Sequence, residues 1–351
     1  MGTMKLHLPA PAGPRVPDVL RTLAPGTAVA LAVAGVAYGI GLIAPGVSPM
    51  LVAIVVGVVL ANLGWLPDRL APGIDFAAKK LLRAGIVFLG LHVVLGEVLA
   101  LGAPMLLVVV AIVVGGIGGT LLLGRLLGVR PGLRLLIACG FSICGAAAVA
   151  GVAGVTDPDG EDEEDTVTAV ALVVIFGTLM IAVVPLLAPV LGLDPRTAGR
   201  WAGGSIHEVA QVVAAGGLLG PAALTVAVLV KLARVLMLAP VVAVLSVQAR
   251  RRAATGDRDV RGRATLPPIV PPFVLGFLVM VLLRSYAPLP EVVIAGGAAL
   301  QTLLLTAAMF GLGCGVRVRR LIRVGGRPFL LAGLATVLVA SIAYAGVTLV
   351  G

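Results

Sequence analysis

Two short stretches concentrate the side chains that could do chemistry within a mostly apolar chain. In "GGSIHEVAQVVAAGG", residues 203 to 217, His207 and Glu208 form the only histidine-glutamate pair of the sequence. A histidine changes protonation near neutral pH, and a glutamate does so when burial penalises its charged form, so the pair could couple protons. The plain alternative is a histidine that bonds to neighbouring backbone. Gln211 follows one helical turn after His207. Residues 139 to 154, "CGFSICGAAAVAGVAG", repeat the Ser-Ile start and the small-residue tail. Ser142 and Ser205 are therefore candidate substrate donors or helix caps.

A second pair is cationic. Lys231 and Arg234, three apart in "KLAR", share one helix face, about ten residues inside a long apolar run. An ionisable group at that depth costs about 2.5 to 3.5 kcal/mol on insertion scales, which makes it a functional candidate unless it finds partners. Glu208 is the expected intramembrane partner. One carboxylate against two cations leaves a positive interior suited to a small anion, while a structural Glu-Lys-Arg network remains the alternative. Cys139, Cys144 and Cys314 form no CxxC motif, so neither a disulfide framework nor a zinc site is predicted. Cys144 has no histidine or acid at a catalytic spacing, and the chain has no P-loop. The sequence predicts no enzyme, catalytic residue, metal or cofactor.

These residues must be positioned by membrane helices. Of 351 residues 60% are hydrophobic and 12% charged, and the mean hydropathy of +1.14 is far above that of soluble domains. Since roughly 20 apolar residues cross the hydrocarbon core, about eleven spans are predicted. They lie near 25–44, 48–64, 74–97, 104–124, 132–154, 166–191, 200–218, 221–247, 270–286, 291–314 and 328–350. Residues 1–24 read as a cytoplasmic tail without the apolar core of a signal peptide. The net charge of +10 falls mainly in alternate loops rather than in a nucleic-acid-binding patch. Apart from Lys231 and Arg234, only Arg284 departs from this pattern. It places the N-terminus inside, the C-terminus outside and the acidic run "DPDGEDEED", 157 to 165, outside.

Many transporters consist of two repeats of opposite orientation. "KLLR" at 80–83 matches "KLAR" at 231–234, and pairing them makes 48–191 one repeat and 200–350 the other, with span 5 the partner of span 10. Both of these spans are glycine-rich, which suits either close helix packing or a break mid-membrane that exposes N–H groups able to bind an anion. In this scheme the Ser-Ile cassettes run in the same direction, so they form two walls of one site rather than symmetry mates.

The stretches "GFSICGAAAVAGVAGV", "WAGGSIHEVAQVVAAG", "VLVKLARVLMLAPV" and "AKKLLRAGIVFLG" resemble those of the sulfate exporter family of bacterial inner-membrane proteins, from about residue 48 to the end. Ala147 and Glu208 stand where that family's pattern has Ser and Asp. The family is similar to the cation:proton antiporter and bile-acid symporter superfamily. The resemblance implies an all-α polytopic fold with inverted five-helix repeats, two crossed discontinuous helices and an elevator-like core. The expected function is secondary export of a small oxyanion of the sulfate, sulfite or sulfonate kind. Ser142, Cys144, Gly145, Ser205, His207, Gln211, Lys231 and Arg234 would bind it, and His207 and Glu208 would couple protons. The expected partners are that anion and the lipid bilayer, with a homodimer allowed and no nucleic acid. Two rival readings are a cation:proton antiporter using Glu208 and a membrane sensor that moves nothing.

Overall fold

The structure is a computed structural model that describes residues 16–44, 49–157, 162–254, 272–315 and 325–350. The tail before residue 16, the basic stretches at 255–271 and 316–324 and the middle of the acidic run lie outside the described residues. Every regular element among the described residues is a helix. Helix α1 (Val16–Ile43) begins within the segment expected to be a tail, and α2 (Pro49–Leu63) follows. The third span is segmented. A turn at Asp68–Leu70 leads into α3 (Ala71–Phe76), a π-helical turn at Ala77–Leu81, α4 (Leu82–Leu89), a 3-10 turn at Gly90–His92 and α5 (Leu95–Leu99). Then come α6 (Ala103–Leu126), α7 (Pro131–Ser142), α8 (Ala146–Thr156) and α9 (Glu163–Val190). The remainder is α10 (Pro195–Ser205), α11 (Val209–Leu219), α12 (Pro221–Leu236), α13 (Leu238–Ala254), α14 (Pro272–Tyr286), α15 (Glu291–Gly315) and α16 (Gly326–Val350).

Among the described residues, six helical segments are long and apolar enough to cross a membrane: 21–43, 103–126, 164–190, 221–251, 291–315 and 326–350. Leu107, Val114 and Leu122 on α6 are more than half exposed, as suits a surface that meets lipid tails. The helices fall into two groups. In one, α15 packs on α1, α2 and α4, and α14 packs on α4. In the other, α6 joins α7 and α16, while α10 joins α12 and α16. Helix α9 lies against α7 and α11, and the groups meet mainly where α8 faces α13 and α4 and where α9 faces α15.

Two of the predicted spans do not cross. The Arg130 guanidinium, before α7, bonds the Asp165 carboxylate in the first turn of α9 at 2.5 Å. Asp157, after α8, accepts the Asp162 N–H at 2.9 Å. Thus α7 starts and α8 ends at one face, here the Arg130 face, and a Cβ on Gly140 would overlap Val149, as only a chain folded back on itself allows. The segment 131–156 is a re-entrant hairpin. The acidic run therefore starts and ends on the same side as Arg130, contrary to the charge-derived expectation. Acidic residues contribute little to the positive-inside bias, so they could not reveal this.

A second hairpin enters from the other side. Helix α9 has 28 residues, and at 1.5 Å each it spans about 42 Å to the opposite face. There α10 begins, placing Arg196 and Arg200 away from the basic side where the sequence had put them. Gly199 abuts Ala223 and Gly203 abuts Ala227, so α10 runs along α12 in the same direction. Gly216 meets Leu224 and Ala227, so α11 runs back against it. The Ser-Ile cassettes consequently point in opposite senses, which overturns the argument that they cannot be mates. Span 10, one of the two candidates for a break, is the continuous helix α15. Its glycines serve close packing instead, since a Cβ on Gly313 would strike the Ile54 carbonyl of α2. The second discontinuity lies in span 7.

Candidate functional site at the hairpin tips

Each tip is shaped by three residues. Helix α7 stops at Ser142, Ile143 turns away with φ −110° and ψ −92°, and Gly145 adopts φ 77° and ψ −136° before α8 begins. That conformation is glycine territory, and a Cβ there would also collide with Glu208 Cγ. Helix α10 stops at Ser205. Ile206 is extended with φ −72° and ψ 147°, and Glu208 caps α11 at φ −111° and ψ 153°.

Four helix ends therefore meet in the interior, and each leaves backbone groups without helical partners. Lys231 and Arg234, both fully buried, take the carbonyl ends. Arg234 donates from Nε to Ser142 O at 3.2 Å and from Nη2 to Phe141 O at 2.8 Å. Its Nη1 donates to Gly203 O, Gly204 O and Ile206 O at 3.1, 2.7 and 3.0 Å. Lys231 Nζ donates to Ile143 O and Ile206 O, both at 2.9 Å. One face of α12 thus ties the carbonyl ends of α7 and α10 together, with positive charge at the negative ends of both helix dipoles. The expected pairing of these cations with Glu208 gives way to backbone carbonyls.

Glu208 serves the opposite ends. Its Oε1 accepts the Ala146 N–H of α8 at 3.2 Å, and its carboxylate accepts the Gln211 N–H of its own helix. Gln211 Oε1 in turn accepts the Glu208 N–H at 3.1 Å, completing a capping box. A single carboxylate caps two half-helices. The Gln211 amide lies against Gly177, where an added Cβ would overlap it. Among the described residues, the buried Gln211 Nε2 and Ser142 Oγ have no hydrogen-bond partner.

His207 bonds Phe141 O through Nδ1 at 3.3 Å and Thr336 Oγ1 through Nε2 at 3.1 Å, with its ring centroid 4.4 Å from that of Phe141. Phe141 O can only accept, so Nδ1 is the donor there, and in the neutral ring Nε2 is then the acceptor toward the Thr336 hydroxyl. Ser205 donates to Trp201 O at 2.6 Å within its own helix rather than standing free. Cys144 is buried in the first tip. At the far end of the second hairpin, the exposed Asp194 carboxylate caps α10 by accepting the N–H groups of Arg196 and Thr197 at 2.9 and 3.3 Å. Bonds from the Thr197 side chain and backbone hold its pKa below the usual carboxylate value.

All nine sequence-predicted site residues converge on this junction. Thr336 and the glycines at 116 and 177 that accommodate Ser142 and Gln211 were not predicted. They lie on other helices, outside both cassettes, and nothing in their local sequence marks them.

The family model described as conserved hypothetical protein 698 matches residues 25–332. A UPF0324 membrane protein of Corynebacterium glutamicum is 59% identical over 304 residues, covering 87% of this chain and 86% of its own length. UPF0324 membrane proteins of Bacteroides thetaiotaomicron and Pseudomonas aeruginosa are each 37% identical, the former covering 81% of this chain and 84% of its own length, the latter 93% and 94%. No solved structure matches. The match across both hairpins and α12 shows that this multi-pass chain belongs to the conserved hypothetical protein 698 family of bacterial membrane proteins.

Proposed function

We propose that the protein is a secondary transporter of a small oxyanion, of the sulfate, sulfite or sulfonate class, with its binding site between the hairpin tips. The observation that carries this reading is the meeting of two half-helix N-termini on one carboxylate. In the first turns of α8 and α11, the N–H groups of Ala147, Val209 and Ala210 lack a capping bond. These residues are also partly exposed, whereas the tips around them are buried. Positive dipole ends with free N–H donors suit an anion in a dry site. Glu208 already demonstrates that a carboxylate is accommodated there. The same bonds take up part of the acceptor capacity of the carboxylate on which the cation-antiport reading depends.

In this mechanism Lys231 and Arg234 do not grip the substrate. They hold the carbonyl ends together and raise the local positive potential, so the N–H ends remain aligned. Hairpins from opposite faces give the site two covers. Movement of the α6–α12 group against the group built on α15 would open one side at a time, with the basic face cytoplasmic in a bacterial inner membrane. Counterflow of labelled sulfite in proteoliposomes tests the reading. Uptake should exceed that of empty liposomes and be competed by sulfate-class anions. Absence of flux for every such anion would reject it, and binding without flux would point to a sensor.

A further inference from the structure

A cavity lies on the Arg130 face where the two helix groups meet. It encloses about 100 Å³ between the π-helical turn with α4 on one side and α8, α9 and α15 on the other. Its floor is apolar, with Leu82, Ile86 and Leu312, and Thr166 supplies a hydroxyl. Lys79 and Asp157 also line it, each engaged in bonding of its own. Arg83 does not share that engagement. Half-buried in the wall, it makes no hydrogen bond or ion pair with any described residue, and its Nη2 lies 3.0 Å from where a Cβ on Gly154 would sit. Glycine at 154 therefore lets the guanidinium reach the cavity beside α8.

A stripe of partly exposed residues runs from the cavity toward the tips. Ala147, Ala150, Ala153 and Gly154 are partly exposed at helical spacing, forming a small-residue stripe from the first turn of α8 to its last. Only Ala147 lies outside the cavity lining, and it carries one of the free N–H groups at the tip. We propose that the cavity is an oxyanion-binding vestibule, in which Arg83 captures the anion at the Arg130 face and the α8 stripe leads it to the hairpin tips. The space admits a sulfate-sized oxyanion or a short sulfonate. The planar guanidinium offers paired donors that match such an anion. The route to the tips rests on the transport reading, whereas anion capture does not.

The test uses Ala153→Cys in a Cys314→Ser background, in nanodiscs of zwitterionic lipid. Modification is timed with a sulfonate-bearing and an ammonium-bearing methanethiosulfonate reagent. The anionic reagent should react about tenfold faster than the cationic one, the scale on which charged clefts enrich counter-ions. Sulfate should slow the reaction, Arg83→Gln should abolish both effects, and Arg83→Lys should restore the charge preference in part. Thr166→Cys is the second reporter should Ala153→Cys misfold. Equal rates for the two reagents, a preference that survives Arg83→Gln, or no sulfate protection would each overturn the proposal. So would protection by anionic lipid alone, since the occupant would then be a headgroup phosphate. Sulfite flux without a charge preference would retain the transporter and discard the vestibule. The preference and protection without flux would do the reverse.

Discussion

Arg130 and Asp165 lie 2.5 Å apart, one before the first hairpin and the other at the start of the following helix. That contact fixes the path of the chain. A crossing helix over 131–156 would carry the chain to the opposite face, and the short segment before α9 could not return it to Arg130. The Asp165 side chain is 3% exposed while that of Arg130 is 59% exposed, so the pair anchors α9 beneath the entrance of the hairpin.

A topological expectation follows. Single cysteines replacing Arg125 and Asp162 should be labelled by an impermeant thiol reagent from the same side of the membrane, and one replacing Asp194 from the other. Labelling of Arg125→Cys and Asp162→Cys from opposite sides would restore the crossing and remove the hairpin.

The Arg234 bonds define a second expectation, different from the one the sequence suggests. As an anion attractor, Arg234 would lose substrate affinity on substitution and leave the fold intact. As the tie between two tips, it should lose the fold. Each hydrogen bond to a charged group is worth about 1.5 to 3 kcal/mol, so Arg234→Gln should destabilise the protein by several kcal/mol and lower its unfolding temperature in detergent. Arg234→Lys should rescue little, because one ammonium cannot reach five carbonyls on both tips. A variant as stable as the parent would refute the structural role.

The conformation of Gly145 gives a third expectation. At φ 77° and ψ −136° any side chain is strained, on the order of 1 to 3 kcal/mol, and this one would also press on Glu208. Gly145→Ala should lower the unfolding temperature, whereas Gly217→Ala, with nothing near its Cβ, should not. Equal effects would show that the tip geometry is not the constraint.

Much of this was legible in the sequence. The apolar runs located the helices, and the two cassettes with "KLAR" located the residues that meet in the interior. The hairpins were not legible. A 23-residue run has the same hydropathy whether it crosses or folds back at its middle, and the reversal is written in Ile143 to Gly145 and Ile206 to Glu208 alone. Loop charges could not correct the reading. Moving 157–165 to the basic side adds mainly acidic residues, and moving the start of α10 away removes only Arg196 and Arg200. The "KLLR" match also misled. Arg83 borders the Arg130-face cavity while Arg234 sits between the tips, so the two stretches do not hold equivalent places.

The cap of the second hairpin responds to pH in a defined direction. Asp194 has its pKa lowered in the folded protein by bonds from Thr197 and Arg196, so its ionised cap contributes fully above the unfolded carboxylate value near 3.8. The contribution is lost as pH falls through the lower folded value. Asp194→Ala should weaken α10 at neutral pH by about 1 kcal/mol, and Asp194→Asn should cost little because asparagine caps nearly as well. A thermal series from pH 7 to 3 should show parent and Asp194→Ala converging at the acid end. A constant difference would assign the residue a role other than capping.

The last expectation concerns Glu208, whose single carboxylate holds the N-terminal ends of α8 and α11, the second helix of each hairpin. If that carboxylate occupies the position an incoming oxyanion must take, transport should require it to withdraw or to accept a proton. Glu208→Gln keeps an amide oxygen able to accept the Ala146 N–H but removes the charge and the titration. It should fold, bind sulfite at least as well as the parent and show a flatter pH dependence of counterflow between pH 5.5 and 8. Glu208→Ala deprives both helix ends of their cap and should fold poorly, as expected when buried donors lose their acceptor. His207→Gln separates the neighbouring residue, since it can retain one bond to Phe141 O or Thr336 Oγ1 while it too loses titration. If only the Glu208 variant flattens the profile, the carboxylate alone carries the coupling, and if both do, the pair acts together. Unchanged pH profiles in both well-folded variants would leave the tips as an anion site without proton coupling.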